Sequence, residues 1–265
     1  MKLAGFPKLL FPVVLACVIA LTGCGFLNNS STSALTAGNW SFTATSTVTP
    51  GTVSVIGGNL TVSGNTVASN MHSDLACFDV SAPFTFGGTL QNKQITFTSA
   101  ANANSQVITV IASVTSPTAI TGTYAVTAGG GCAADQGTIA ASLVPSINGT
   151  WTGPIVGSGG PSVTLAMALS QATTASSDGT YPLTGNLTYT NSSCSLSGSV
   201  SSSYLAGTML VINGTTLETD SSSGSFTLTS AYLNSPTSPT TIHGTYSVIT
   251  GLCAGDADTP TFTKQ

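Results

Sequence analysis

One ordered series of residues occurs twice along this chain, and it constrains the fold more than anything else in the sequence. The first series opens at Gly38-Asn39-Trp40 and passes Gly58-Asn59-Leu60-Thr61 and Cys77. It then runs through Thr121-Gly122-Thr123-Tyr124 to Cys132 and Asp135. The second opens at Gly149-Thr150-Trp151 and passes Gly185-Asn186-Leu187-Thr188 and Cys194. It ends with His243-Gly244-Thr245-Tyr246, Cys253 and Asp256. In both, an aspartate follows the second cysteine three positions on. A series kept in order over this length reads as a tandem duplication, with one copy over residues 38–145, the other over 148–265 and a joint near Pro145 to Asn148. Each copy must then fill a core of its own.

Within each copy the local signal is β. Short segments rich in Val, Ile, Thr, Tyr and Phe alternate with clusters of Gly, Asn, Ser and Pro, the pattern of strands separated by turns. Gln94-Ile95-Thr96-Phe97-Thr98 and Ser225-Phe226-Thr227-Leu228-Thr229 alternate cleanly, Ser162-Val163-Thr164-Leu165 begins another alternating stretch, and Val107 to Val114 has the denser apolar character of a central strand. No stretch after residue 30 sustains a helical period with start and stop signals. The expectation is an all-β chain of two tandem antiparallel repeats, each a barrel or a sandwich of seven or eight strands. The opening Gly-x-Trp of each copy resembles the first-strand signature of lipocalin-like barrels. That resemblance implies a tryptophan plugging one barrel end, and an arginine packed against it, which this chain lacks. An immunoglobulin-like sandwich is the rival, but its Cys…Trp…Cys order does not occur, because tryptophan precedes both cysteines in each copy.

The first residues read as an export signal. Lys2 and Lys8 precede an apolar run from Leu9 to Leu21, broken by Pro12, which is shorter than the roughly 20 residues of a membrane-spanning helix. Leu21-Thr22-Gly23-Cys24 follows it and resembles the lipobox of bacterial lipoproteins. The resemblance implies a signal peptide over residues 1–23, diacylglyceryl transfer to the Cys24 sulfur, cleavage after Gly23 and acylation of the new N-terminus. The membrane partner would then be reached through lipid on Cys24, since several acyl chains anchor stably where one binds only reversibly. Gly25 stands where many inner-membrane lipoproteins carry Asp, so the expected address is the cell envelope at the outer membrane. Residues 24–37, rich in Asn, Ser and Thr, read as the lipidated cysteine and a flexible tether.

Export also frames the remaining cysteines. Cys77, Cys132, Cys194 and Cys253 are an even set in an oxidising compartment. The duplication makes Cys77–Cys132 and Cys194–Cys253 the simplest pairing, with a crossed pairing between copies open. Each intra-copy bridge would close a long loop, worth about 4 kcal/mol on a chain-entropy account.

Charge excludes more than it suggests. Past the signal the chain keeps only Lys93 and Lys264 against eight acids, so no basic patch can neutralise phosphates and nucleic acid is not an expected partner. Catalytic groups are scarce. His72 and His243 read as surface or strand residues, and no Gly-x-Ser-x-Gly elbow marks a nucleophile. Asp135, Asp256 and Asp258 follow the second cysteines, where a turn role is the expectation and a calcium-dependent adhesion module the alternative. Asp74, Asp79, Glu218 and Asp220 are the acids from which a polysaccharide hydrolase would have to draw two facing carboxylates. Gly129-Gly130-Gly131 and Gly157-Ser158-Gly159-Gly160 lack the lysine and helix of a P-loop and read as hairpin turns. Trp40, Trp151, Tyr124 and Tyr246 recur at matching places and read as core. The sequence therefore points to a lipid-anchored, non-catalytic binding or structural module with no cofactor or metal. Its partner would be an envelope protein, an extracellular polymer or a small apolar ligand inside a barrel, and a cleft grouping acids with a histidine would speak for catalysis instead.

Overall fold

A computed structural model describes residues 35–156 and 163–265; the signal, Cys24 and the first part of the tether lie outside them. Among the described residues there is no helix, and the strands form two eight-stranded antiparallel barrels in tandem. The first barrel contains β1 (Gly38–Ser46), β2 (Val53–Ser63), β3 (Thr66–Ser73), β4 (Phe84–Gln91), β5 (Gln94–Ser99), β6 (Ile108–Ser116), β7 (Ala119–Val126) and β8 (Asp135–Leu143). It is a plain meander whose seam joins β1 to β8, from Trp40 opposite Leu143 to Ser46 opposite Gly137. The second contains β9 (Gly149–Ile155), β10 (Val163–Gln171), β11 (Tyr181–Thr190), β12 (Ser195–Ala206), β13 (Met209–Glu218), β14 (Ser223–Leu233) and β15 (Thr241–Thr250), then the two-residue β16 (Ala257–Asp258) and β17 (Thr261–Lys264). Its ring closes where β17 lies between β15 and β9. Barrels, not sandwiches, are what the alternating segments build.

Period-2 alternation explains why each ring has a filled interior. In β1, Trp40, Phe42 and Ala44 point inward; in β5, Ile95 and Phe97 do. The outward positions carry Ser and Thr, so the barrels are inside-out relative to membrane-spanning ones, whose apolar residues face lipid. The void enclosed by Phe42, Ile56, Ser69, Phe86, Phe97 and Val110 measures only about 10 Å³, room for one water at most. That void is too small for an apolar ligand.

Both tryptophans are fully buried, and each indole N–H donates to the carbonyl four residues earlier: Trp40 to Thr36 at 2.9 Å and Trp151 to Ile147 at 2.9 Å. The glycine two places ahead adopts φ +148° at Gly38 and +132° at Gly149, values that side chains rarely allow. The recurring Gly-x-Trp is therefore one local device, a turn into the first strand with the indole closing the barrel end. Lys264 stands over Trp151, its Nζ 5.4 Å from the ring centroid.

The disulfides join Cys77 to Cys132 and Cys194 to Cys253, with Cα–Cα distances of 6.2 and 6.0 Å. Each ties the loop between third and fourth strands to the turn after the seventh. One landmark behaves differently from the rest. Gly58-Asn59-Leu60-Thr61 lies on β2, the second strand of its barrel, whereas Gly185-Asn186-Leu187-Thr188 lies on β11, the third strand of the other. The two are not structural equivalents, and the match between them is local similarity only.

The first barrel is pinned at its disulfide end by Asp135, which accepts from Ser46 Oγ at 2.6 Å and from Tyr124 Oη at 2.6 Å. Burial disfavours the Asp135 charge, but the bonds from Ser46, Tyr124 and the Gln136 N–H outweigh it and hold the carboxyl below its ordinary 3.8. Tyr124 is pushed up to about 12, by burial first and then by the bond to Asp135 and its charge.

The barrels pack on each other through the outward face of β1–β3. There Asn39, Ser41 and His72 are 3%, 2% and 2% exposed although they point away from their own core. The Asn39 amide donates to Gly207 O at 3.0 Å and accepts from Gly207 N at 2.7 Å, reproducing a strand-like pair with the β12–β13 hairpin. Ser41 and Thr208 share a hydroxyl bond of 3.1 Å, Tyr181 Oη donates to Asn59 Oδ1 at 2.7 Å, and Asn70 Nδ2 donates to Ser177 O at 2.7 Å. Gly57 has no side chain because a Cβ there would lie 2.3 Å from the Ala206 carbonyl.

Two outcomes are expected. Asn39→Ala strands the buried N–H and C=O of Gly207 and should cost about 2–4 kcal/mol in urea denaturation, against less than about 0.5 kcal/mol for Thr89→Ala on the exposed wall. Tyr124→Phe should cost about 1.5–3 kcal/mol near neutrality. Because the Tyr124 pKa is raised, its contribution is present below pH 10 and lost as pH rises through about 12. Because the Asp135 pKa is lowered, its contribution is present above 3.8 and lost as pH falls further. The stability gap between wild type and variant should therefore narrow toward both extremes, and a gap independent of pH would refute the assignment.

Candidate functional site

Where the barrels meet, their walls diverge into a cleft of about 560 Å³, within the size range of small-molecule sites. One wall is the outward face of the first barrel: Ser41 and Thr43 from β1, Val53 and Val55 from β2, His72 from β3, and Asp74 and Val80 from the loop that follows. The other comes from β12, β13 and β14, chiefly Tyr204, Met209, Val211 and Tyr232, with Asn234 and Pro236 beyond the last of them.

The second wall is shaped by breaks in its strands. The pairings β12–β13, β13–β14 and β14–β15 each shift register beside the cleft, between Ser201 and Tyr204, Leu210 and Ile212, and Thr229 and Tyr232. Ser202 and Ser230 take left-handed backbone at φ 51° and 49°, which is uncommon outside glycine. Each stands two residues before a cleft tyrosine. Bulges bend a strand and re-aim its side chains, and here the repeated device directs Tyr204 and Tyr232 across the gap. Tyr232 is 51% exposed and stacks on His243 with centroids 5.3 Å apart, while Tyr204 lies 6.1 Å from His72.

His72 is the most unusual group in the cleft. Its Nδ1 lies 2.9 Å from the Val80 carbonyl, which can only accept, so Nδ1 carries a proton. In the neutral ring Nε2 is then an acceptor, and it is buried without a partner. Asp74 takes the Val55 N–H on Oδ1 at 2.5 Å; burial raises its pKa, against backbone bonds that lower it. Asp178 also feels His72: burial raises its pKa, but bonds from Thr180 and the imidazole's charge bring it below the ordinary value. Burial, then the charges of Asp178 and Asp79, raise the Tyr204 phenol. Carboxylates thus gather around the His72–Tyr204 pair, and no lysine lines the cleft.

A histidine and an acid therefore do share a cleft, the grouping expected of a catalytic site. The His72 ring is oriented by a backbone carbonyl rather than by a carboxylate, so the relay of a Ser-His-Asp triad is not assembled. Asp74 is the single acid lining the cleft. Glu218 lies at the opposite end of β13 from Met209, about 30 Å away at the rise of a strand, too far for the 5–10 Å separation of glycosidase carboxylates. It is 1% exposed, bonded by Thr216 and Ser195. Asp79 and Asp220 cap their own turns through Ser81 and Ser222.

The calcium candidates are likewise occupied. Asp135 holds Ser46 and Tyr124, and Asp258 accepts the Val156 and Thr259 N–H groups at 2.7 Å each. Among the described residues no group of three or more His, Cys, Asp or Glu side chains could hold a metal ion. His243 is bonded through both ring nitrogens, to Thr261 and Thr241.

The tyrosines of the cleft were missed in the sequence, though a trace of them is present. Val200 and Leu205 both point inward, as do Leu228 and Ala231, yet each pair is an odd number of residues apart. An uninterrupted strand cannot do that, so the slip marks a bulge.

No protein-family model matches the chain, and no curated protein matches it. Among solved structures it is similar to a double mutant of the vaccine antigen Transferrin Binding Protein B from Haemophilus parasuis Hp5, with 8% identity, 86% of this chain and 75% of that chain covered, and a TM-score of 0.20.

Proposed function

We propose that this is a lipid-anchored protein of the cell envelope, held through Cys24 on the outer membrane, that binds without catalysing and binds in the cleft between its two barrels. The observation that carries the reading is the cleft itself. Its second wall keeps two non-glycine residues in left-handed backbone beside the tyrosines it presents, and backbone strain of about 1–3 kcal/mol per residue concentrates at functional sites. Its first wall sets the exposed Asp74 carboxylate beside the apolar side chains of Val53, Val55 and Val80, the mix of a few polar groups on apolar lining that small-molecule sites use. The acids and histidines make no relay and no facing pair, which supports binding over hydrolysis. The Leu21-Thr22-Gly23-Cys24 motif behind an apolar leader supports the anchor.

Two measurements test the two halves of this reading. Mass spectrometry of the envelope-associated protein is expected to find an N-terminus at residue 24 with a diacylglyceryl thioether, and Cys24→Ser should shift the protein out of the membrane fraction. A free thiol there, or an intact leader, would overturn the anchor. Ligand-observed NMR with a panel of small amphiphiles is expected to find binders of the full chain that are lost in Val53→Trp. That substitution fills the cleft from a residue already 56% exposed, so stability should change by less than about 1 kcal/mol. Binders that ignore the plug, or a panel without binders, would count against the cleft.

A further inference from the structure

Resting on the reading of the cleft as a binding site, we propose that its ligand is a primary ammonium on an apolar body, such as an alkylamine or arylalkylamine. The polarity of the first wall points there. Asp74 presents an exposed carboxylate to the cleft, with one oxygen accepting the Val55 N–H. A carboxylate accepts N–H or O–H from whatever enters, and a protonated primary amine carries three such donors on one atom.

Charge narrows the choice. Asp74 lines the cleft, and Asp178 and Asp79 act on the tyrosine at its base. No lysine or arginine lines it, and Lys93 and Lys264 lie on the β4–β5 hairpin and in β17. An anion would be repelled; a neutral polyol could bond the acceptors but would leave the Asp74 charge unmatched. A bare metal ion lacks its ligand set. An organic cation meets the carboxylate and also the faces of Tyr204 and Tyr232, which attract positive charge. Beside the polar Thr43, Ser230 and Asn234, much of the lining asks for hydrocarbon: Val53, Val55, Val80, Met209 and Pro236 offer no hydrogen-bonding side-chain group beyond a thioether.

The test uses three probes of one shape on the full chain by isothermal titration: 2-phenylethylamine, 2-phenylethanol and phenylacetate. The amine is expected to bind at least tenfold more tightly than the alcohol, and phenylacetate not at all. Asp74→Asn should erase the preference for amine while leaving the alcohol unchanged. Tyr232→Leu, which removes an aromatic face from a residue 51% exposed, should weaken the amine at least threefold, with thermal denaturation confirming that each variant is folded. Equal binding of amine and alcohol, or amine binding indifferent to Asp74→Asn, overturns the ammonium assignment and leaves the binding cleft standing. Absence of binding by all three also overturns the ammonium assignment, while the amphiphile panel with Val53→Trp decides the cleft separately.

Discussion

The pairing of the Asn39 amide with the backbone of Gly207 is the contact on which the larger arrangement depends. It converts an outward position of one barrel into a surrogate strand partner for a hairpin of the other. Around it Ser41, Gly57, Asn59 and Asn70 bring the walls together by hydrogen bonds and close approach rather than by a second apolar core. A polar seam of this kind is specific because each buried donor and acceptor must find one partner. Only with that register set do the walls of β1–β3 and β12–β14 diverge to form a cleft.

The two barrels agree in their interiors: each tryptophan bonds the carbonyl four residues back, and each disulfide joins the same pair of loops. On the outer wall they differ. Asn39 stands where the second copy has Thr150, and Asn59 binds across the seam although its apparent counterpart Asn186 is on a different strand. Interior positions are constrained alike by the need to fill a closed ring, whereas the outer wall of each copy meets something different.

That division sets what could be read from the chain. The β architecture was legible because Gln94–Thr98 and Ser225–Thr229 alternate with the period of a pleat. Cys77, Cys132, Cys194 and Cys253 stand at the loops their repeat positions imply. The seam was not legible, because Asn39, Ser41 and His72 occupy outward positions where polar residues are ordinary, and nothing local marks which outward face is covered. The cleft was harder still. Its tyrosines come from strands whose bulges appear in the sequence only as an odd interval between Val200 and Leu205 or between Leu228 and Ala231, and its histidine resembles any strand histidine until the Val80 carbonyl is seen to hold one nitrogen and leave the other bare.

The two rings are not closed with equal strength. In the first, β1 and β8 are in register over seven residue pairs, from Trp40–Leu143 to Ser46–Gly137. In the second, the four-residue β17 meets β9 only at Thr263–Thr152 and Lys264–Trp151. Contacts between distant parts of a chain form late, and thinly bonded segments open first. Breathing of the native protein should begin at this junction, so amide protons of β17 and the adjoining edge of β9 would exchange with solvent well before those of β1 and β8.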